Sequence, residues 1–225
     1  MTTIGFIGSG RIGGALAKLA VAAGHDVVLS NSRGPQSLRE TVDRLGPRVR
    51  AATPVEAAAA GDLIVVAVPI RAYRQVPVEP LRDQIVIDTL NYDPARQGVV
   101  PQIEDGHTPP HLLLQAHLPK THVVKAFSTV FCQHLPQLTR PAGAPDRSAV
   151  PIASDHTWAK NAVAGLIHSL GFDAYDVGPL AESRRFAPGT PAQLAYLDPA
   201  GMFTAPARPA SAADLAALLD QANRP

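Results

Sequence analysis

The sequence predicts an α/β fold in which short parallel strands and helices form a doubly wound sheet, followed by a small C-terminal α/β extension. Apolar, strand-like runs alternate with helical segments throughout residues 1–130. The run 63–68 is apolar at every position, as expected of a parallel strand covered on both faces. The right-handed crossover rule leaves few other topologies for such an alternation.

The apolar pattern, together with proline and glycine at the segment ends, places the individual elements. In the first part of the chain we expect strands at 3–7, 25–30, 49–52, 62–68, 84–88 and 122–127, and helices at 11–23, 36–45, 54–60 and 109–118. Further on we expect strands at 148–153 and 172–177, and helices at 155–170 and 211–222. Thr53 is the expected N-cap of its helix, and Ser154 or Asp155 that of the helix at 155–170. A boundary near Arg140 divides the chain into units 1–140 and 141–225.

Composition excludes several classes of protein. Among 225 residues, Lys and Arg total 20 and Asp and Glu total 19, so the formal net charge is +1 and no nucleic-acid partner is expected. No stretch of about 18 apolar residues predicts a membrane span. The N-terminal residues lack the basic and long apolar regions of a signal peptide. The single cysteine cannot form an internal disulfide, which favours a reducing, cytoplasmic location.

A glycine motif follows the first expected strand and opens the first helix. Residues 8–13 read Gly-Ser-Gly-Arg-Ile-Gly, and this setting makes the pattern specific. Gly8 allows a tight turn, Gly10 lets a pyrophosphate approach the backbone, and Gly13 lets helix and strand pack closely. The sequence therefore predicts a Rossmann-type dinucleotide site whose loop consists of Gly8, Ser9, Gly10, Arg11, Ile12 and Gly13.

The end of the second expected strand indicates which dinucleotide binds. An NAD-selective site carries Asp or Glu about 20 residues after the glycines, where it binds the ribose 2′-hydroxyl. Residues 29–34 contain no carboxylate there, and instead offer Asn31, Ser32 and Arg33. A guanidinium with neighbouring amide and hydroxyl groups attracts a 2′-phosphate. NADP(H) is therefore the expected cofactor.

Other strand ends should complete the cofactor crevice, because ligands of open α/β sheets bind outside the carboxyl ends of the strands. The candidates follow the fourth, fifth and sixth expected strands. They are Ala67, Val68, Pro69, Thr89, Asn91, Ala126 and Ser128.

Five segments together resemble the family of NADP-dependent coenzyme F-420 reductases. They are residues 8–13, 30–35, 65–69, 86–89 and 124–127. The resemblance implies a Rossmann domain with a small C-terminal domain, NADP(H) in the glycine crevice, an electron acceptor between the two, and a homodimer. The family includes an enzyme that moves hydride between NADPH and the deazaflavin coenzyme F-420. Where that family commonly has Asn after Lys-Ala-Phe, this chain has Ser128.

The acceptor decides whether a proton donor is needed. A deazaflavin or flavin carries its own chemistry, so the protein supplies position and electrostatics. An imine or ketone needs a general acid near the nicotinamide, for which Lys125, Tyr92, His134 and Asp88 are candidates by placement. Arg184 and Arg185 either meet an anionic acceptor or form a solvated pair. The histidines lack the spacing of a metal site, so no metal is expected.

Three functions stay open from the sequence. The first is oxidoreduction between NADPH and coenzyme F-420 or a related flavin-type acceptor. The second is NADPH-dependent reduction of a small organic imine or carbonyl compound. The third is a non-catalytic NADP(H)-sensing binding protein.

Overall fold

A computed structural model of the chain describes residues 1–104, 108–201 and 204–222. Eight strands form one sheet: β1 (Thr3–Ile7), β2 (Asp26–Ser30), β3 (Val49–Ala52), β4 (Leu63–Val66), β5 (Ile85–Asp88), β6 (His122–Lys125), β7 (Ala149–Ala153) and β8 (Asp173–Gly178). Within these ranges no helix has both the length and the apolar character needed to cross a bilayer.

The helices lie on the connections between strands. They are α1 (Arg11–Ala22), α2 (Arg39–Leu45), α3 (Pro54–Ala60), α4 (Pro94–Gln97), α5 (Pro101–Glu104), α6 (Leu113–His117), α7 (Leu135–Leu138), α8 (Thr157–Ser169) and α9 (Ala212–Gln221). Short 3₁₀ turns fill much of the rest, at Pro35–Leu38, Ile70–Gln75, Glu79–Leu81, Pro110–Leu112, Leu180–Phe186 and Pro191–Leu194.

The strand order is β3-β2-β1-β4-β5-β6-β7-β8, and β1 to β6 are parallel. This confirms the expected doubly wound α/β fold of Rossmann type. The sheet is not parallel throughout, however, because β7 runs antiparallel to β6, and β8 runs parallel to β7. Since residues 141–225 supply β7 and β8 to the same sheet, the division of the chain near Arg140 stays a prediction.

The pairing of β6 with β7 is limited to the ends of both strands. Lys125, the last residue of β6, is opposite Ala153, the last residue of β7. In an antiparallel pair the earlier residues of β7 must then lie beyond the carboxyl end of β6. Phe127 just past β6 accordingly contacts Phe172 just before β8, with ring centroids 6.3 Å apart. We call β7 and β8 the ledge, because they extend past the edge at which β1 to β6 end.

Alternate residues of each central strand enter two separate hydrophobic cores, as the period of a strand requires. Phe6, Val65 and Ile87 belong to the larger core, which α1 and α8 cover. Ile64 and Val86 belong to a second core, which α6 and the 3₁₀ turn at Ile70–Gln75 cover. Both faces of the sheet are therefore buried, which explains why the central strands are apolar at nearly every position.

Several helix starts differ from the sequence-based expectation. The segments expected to be helical from Gln36 and from Pro109 each begin as a 3₁₀ turn and become α-helical only at Arg39 and Leu113. The helix expected to begin at Asp155 begins at Thr157, and its N-cap His156 makes no side-chain cap. Thr53 caps α3 as predicted, in a capping box with Glu56.

The two predicted caps of α8 are bonded elsewhere. Asp155 Oδ1 accepts the backbone N–H of Leu180 at 2.9 Å. Ser154 Oγ donates to the carbonyl of Val123 at 2.7 Å. The predicted capping roles were therefore wrong, because both side chains find acceptors or donors on neighbouring segments of the fold.

Helix α3 crosses β1 at a distance that only glycine permits. A Cβ atom on Gly5 would lie 2.2 Å from the carbonyl oxygen of Ala57, far inside van der Waals contact. Gly61, just after α3, is also too close for a side chain, with its Cβ position 2.6 Å from the backbone nitrogen of Gly5. The close packing of α3 against β1 therefore requires glycine, which has no side chain, at positions 5 and 61.

We predict that Gly5→Ala lowers the free energy of unfolding by about 1–3 kcal/mol, because the added methyl must displace the backbone of α3. Chemical denaturation of the purified variant measures it. The matched control is Gly165→Ala in the middle of α8, where a Cβ meets nothing within 4 Å. There alanine should add about 0.5–1 kcal/mol by helix propensity. Equal effects of the two substitutions would contradict the close-packing account.

Candidate functional site

The candidate site is the edge at which the parallel strands β1, β2, β4, β5 and β6 end. Gly8, Asn31, Ala67, Thr89 and Ala126 each lie one or a few residues beyond one of these strands. Because the strands are parallel and adjacent, their carboxyl ends meet at one edge. The fold thus brings together the segments that carry every predicted cofactor-contacting residue.

The glycine loop packs against the backbone on both sides. Gly8 has a φ of +110°, and a Cβ there would lie 2.3 Å from the carbonyl oxygen of Ala67. A Cβ on Gly13 would lie 2.0 Å from the carbonyl oxygen of Gly8. Neither position can hold a larger residue without moving the backbone. The first and third glycines therefore hold the start of α1 against the end of β1.

The second glycine has a different environment. A Cβ on Gly10 would meet nothing within 4 Å, and the residue is exposed. Gly10 is also the N-cap of α1, with no side-chain cap and no acidic residue in the first turn. The first N–H groups of this twelve-residue helix are thus available, at its positive dipole end, below an open space. The arrangement fits an anionic pyrophosphate.

Ser9, Arg11 and Ile12 complete the loop with three different environments. Ser9 is half-buried, and Arg11 is exposed as the first residue of α1. Ile12 packs against the larger core. Of the three, Arg11 is the residue whose side chain is open to solvent beside the helix N-terminus.

Residues 31–37 form the turn that follows β2, which we call the clamp turn. Ser32 and Arg33 are exposed at its tip, and among the described residues the Arg33 guanidinium has no hydrogen bond or ion pair. The Asn31 amide, by contrast, is engaged within the turn. Its Oδ1 accepts the Arg33 N–H at 2.9 Å, and its Nδ2 donates to Ser37 Oγ at 2.9 Å. The predicted trio thus consists of two side chains at the tip and one that is bonded inside the turn.

The loops after β5 and β6 are bonded to each other. Asn91 Nδ2 donates to the carbonyl of Ser128 at 2.5 Å. Thr89 Oγ1 donates to the carbonyl of Val66 at 3.0 Å, which links the end of β5 to that of β4. Ala126 is fully buried, and the Ser128 hydroxyl is buried with no partner among the described residues. Val68 and Pro69 follow β4 at the same edge, partly and largely exposed.

A buried ion pair lies beneath these loops. Lys125 Nζ is 3.1 Å from Asp88 Oδ2, and the two side chains are only 4% and 2% exposed. Lys125 Nζ also donates to the carbonyl of Leu90, and Asp88 Oδ1 accepts the N–H of Leu90 at 2.7 Å. The N–H and the carbonyl of Leu90 are therefore both bonded to the ion pair, which fixes the backbone immediately before Asn91.

The other two proton-donor candidates lie in contrasting environments. The Tyr92 hydroxyl donates to Glu104 Oε1 at 2.5 Å and accepts the N–H of Val100 at 3.3 Å. The hydrogen bond to Glu104 raises the pKa of Tyr92. His134 is 1% exposed, and neither ring nitrogen has a partner among the described residues. The four candidates therefore comprise a buried pair, a bonded phenol and a buried imidazole.

Two cationic side chains act electrostatically on His111, which lies in the 3₁₀ turn before α6. Burial, followed by the charges of Lys125 and Arg184, lowers the pKa of His111. Arg184 pairs with Glu182 at 3.3 Å, and Arg185 pairs with Asp220 at 3.2 Å. The arginine pair that the sequence suggested for an anionic acceptor thus has carboxylate partners within the chain.

Sequence reasoning missed two polar residues that bond to the site. Ser37 binds the Asn31 amide from six positions away, and Gln193 Nε2 donates to the carbonyl of Ser128 at 3.2 Å. The serine lies near enough in sequence to Asn31 for a turn motif to suggest it. Gln193 lies 65 positions from Ser128, and no local pattern could have identified it.

A family model describes the first part of the chain. Residues 3–92 match the model of the NADP oxidoreductases that depend on coenzyme F-420. That range runs from the start of β1 to the loop after β5, and so includes the glycine loop, the clamp turn and Asp88. No curated protein matches the sequence closely enough to count as a relative.

Solved structures extend the match to most of the chain. A hypothetical protein from Sinorhizobium meliloti is 32% identical with a TM-score of 0.72, over 84% of this chain and 91% of that one. A protein from Arthrobacter, provisionally named as an F-420-dependent NADP reductase, is 24% identical with a TM-score of 0.68, over 82% and 88%.

A more distant structure shares the fold alone. An imine reductase from Myxococcus stipitatus in complex with NADP+ is 19% identical with a TM-score of 0.55, over 80% of this chain and 56% of that one. The range matched by the family model, residues 3–92, contains the glycine loop and the clamp turn. Residues 3–92 thus resemble the coenzyme F-420-dependent NADP oxidoreductases, which confirms the resemblance found in the sequence and indicates an NADP-dependent oxidoreductase.

Proposed function

We propose that the chain transfers hydride between NADPH, bound along the carboxyl edge of β1, β2 and β4, and coenzyme F-420 or a related flavin-type acceptor. The observation that carries the proposal is the clamp turn. Arg33, exposed and with no ion-pair partner in the described part of the chain, follows β2 at the position where an NAD enzyme carries a carboxylate. The match of residues 3–92 to the family model supports the cofactor class.

In this proposal the pyrophosphate is bound by the free N–H groups of α1 above Gly10. The 2′-phosphate is bound by Ser32 and Arg33 at the tip of the clamp turn, where a guanidinium forms paired, charge-assisted hydrogen bonds. Ala67, Val68 and Pro69 would contact the middle of the dinucleotide. Thr89, Asn91, Ala126 and Ser128 would surround the nicotinamide, which supplies the hydride when bound.

A flavin-type acceptor agrees with the finding that most of the candidate proton donors are already hydrogen-bonded within the fold. Such a ring takes up the hydride and completes its reduction with a proton from solvent, so no protein acid is required. Lys125 and Asp88 already bond each other and Leu90, and Tyr92 bonds Glu104. Three of the four proton-donor candidates are thus engaged in the fold.

One observation favours a second candidate function, reduction of an imine or carbonyl compound. The His134 ring nitrogens have no partners among the described residues, so this side chain is the candidate with a proton to give or accept. Its burial means that a substrate would reach it only through a rearrangement of the turn after β6.

The acceptor is tested by following NADPH absorbance with coenzyme F-420, FMN, a ferric complex and a small panel of imines and ketones. We expect oxidation with F-420, and activity that survives His134→Ala. Turnover of an imine that His134→Ala abolishes would establish the second function instead. No oxidation with any acceptor, despite tight NADPH binding, would favour a sensor without catalysis.

Composition and family resemblance support a location and an assembly for the chain. We propose a cytoplasmic enzyme because its single cysteine suits a reducing compartment. We propose a homodimer because the family resemblance implies one.

We also propose that Asp88 and Lys125 act as positioning residues rather than as an acid and a base. Their bonds to both polar groups of Leu90 fix the start of the loop that carries Asn91. Asn91 in turn holds the carbonyl of Ser128. A rigid pair below the surface can thus orient two loops around a nicotinamide without touching it.

We predict that Arg33→Ala weakens NADPH binding by about 1.5–3 kcal/mol, the range for a hydrogen bond to a charged group, and leaves NADH binding nearly unchanged. Calorimetric titration with each dinucleotide measures both. Arg48→Ala is the matched control, because Arg48 is also exposed but lies by Asp26 at the opposite end of β2. An equal loss for NADPH and NADH would refute the 2′-phosphate contact.

We predict that Lys125→Met lowers the free energy of unfolding by about 3–5 kcal/mol, because it leaves the Asp88 carboxylate buried without its partner. Thermal and urea denaturation measure it, and Asp88→Asn in the same chain should restore part of the loss. Lys120→Met, at an exposed lysine, should change stability by less than about 0.5 kcal/mol. A fully stable Lys125→Met protein without NADPH oxidation would return Lys125 to the role of proton donor.

A further inference from the structure

The clamp turn is closed by a hydrogen-bond relay that runs through Ser37. Ser37 Oγ lies 2.7 Å from the carbonyl oxygen of Gly34 and 2.9 Å from Asn31 Nδ2. A hydroxyl has one proton, and the shorter contact is to an acceptor that cannot donate. Ser37 therefore donates to Gly34 and accepts from Asn31.

The same relay fixes the orientation of the Asn31 amide. With Nδ2 turned toward Ser37, Oδ1 faces the backbone N–H of Arg33 at 2.9 Å. The relay thus joins the end of β2 to the start of the 3₁₀ turn at Pro35–Leu38, and it holds the backbone of Arg33 in between. Gly34 has a φ of +89°, a conformation that L side chains rarely adopt, and its carbonyl also accepts the backbone N–H of Ser37 at 3.2 Å.

We infer that Ser37 is a positioning residue for NADP(H) selectivity, acting through Asn31 and the backbone of Arg33 on the 2′-phosphate. The inference rests on the proposed phosphate contact of Arg33. It also assigns Asn31 to the closure of the turn, since both ends of its amide are already bonded. Ser32 and Arg33 remain as the side chains that reach the phosphate.

The physical reason is preorganisation. A mobile turn must lose conformational freedom when its arginine binds a phosphate, and that loss subtracts from affinity. The relay removes this freedom before the cofactor arrives. NADH has no 2′-phosphate for the turn to hold, so its affinity does not depend on the shape of the turn.

The test is a mutant cycle read by calorimetric Kd values for NADPH and for NADH. We expect Ser37→Ala to weaken NADPH binding by about three- to tenfold, the equivalent of a neutral hydrogen bond, with the NADH Kd unchanged. In an Arg33→Ala background, Ser37→Ala should have no further effect on NADPH. Ser37→Thr, which keeps the hydroxyl, should restore the NADPH preference.

Ser211→Ala is the matched control. Ser211 is also an exposed serine that accepts an N–H and donates to a neighbour, here both on Asp214 at the start of α9. Its loss should lower stability slightly and leave both dinucleotide affinities unchanged.

Each other outcome overturns the inference in a distinguishable way. An equal loss of NADPH and NADH affinity in Ser37→Ala would mean a merely structural role. If Ser37→Ala weakens NADPH binding as strongly in the Arg33→Ala background as in the unaltered protein, Ser37 contacts the phosphate directly. If Arg33→Ala alone removes the NADPH preference and Ser37→Ala does not, only the positioning role fails. If the unaltered protein has no preference for NADPH, the proposed phosphate contact fails together with it.

Discussion

The backbone contact between Gly13 and Gly8 is the constraint on which the cofactor edge depends. No side chain fits between them, because a Cβ on Gly13 would lie 2.0 Å from the carbonyl oxygen of Gly8. This contact places the first turn of α1 directly behind the end of β1. The N-cap of that helix, Gly10, has no side-chain cap, and a Cβ there would meet nothing within 4 Å. The close contact between Gly8 and Gly13 thus positions the N-terminus of α1 in a way that suits an anion.

The loops around this edge are held by two kinds of interaction. After β5 and β6, a buried lysine–aspartate pair fixes Leu90, and Asn91 connects that loop to Ser128. After β2, exposed neutral hydrogen bonds close the clamp turn. Buried charges tolerate little rearrangement, whereas exposed bonds of this kind contribute modestly and can be exchanged. The two loops are therefore held in different ways, one by buried charges and the other by exposed neutral hydrogen bonds.

Much of this arrangement could be predicted from the sequence, because it depends on local patterns. The apolar runs placed β1 to β6, and the spacing of Gly8, Gly10 and Gly13 located the start of α1. The absence of a carboxylate after β2 indicated NADP(H), which the match of residues 3–92 to the family model supports.

Contacts between distant residues could not be predicted in the same way. Lys125 reads as a polar strand end until the fold places Asp88 beside it, 37 positions away. The reversed direction of β7 and the bond from Gln193 to Ser128 likewise follow from tertiary packing. Ser154 and Asp155 resemble helix caps locally, yet they bond to Val123 and Leu180.

The ledge has a consequence for how such a protein can diverge. Its strands, Ala149–Ala153 and Asp173–Gly178, are separate in sequence from the glycine loop and the clamp turn, and they extend beyond the end of β6 beside Phe127. Substitutions there can reshape the space beyond β6 while the glycine loop and the clamp turn stay unchanged. Related proteins can in this way keep the glycine loop and the clamp turn and change their redox partner, because the substitutions fall in β7 and β8.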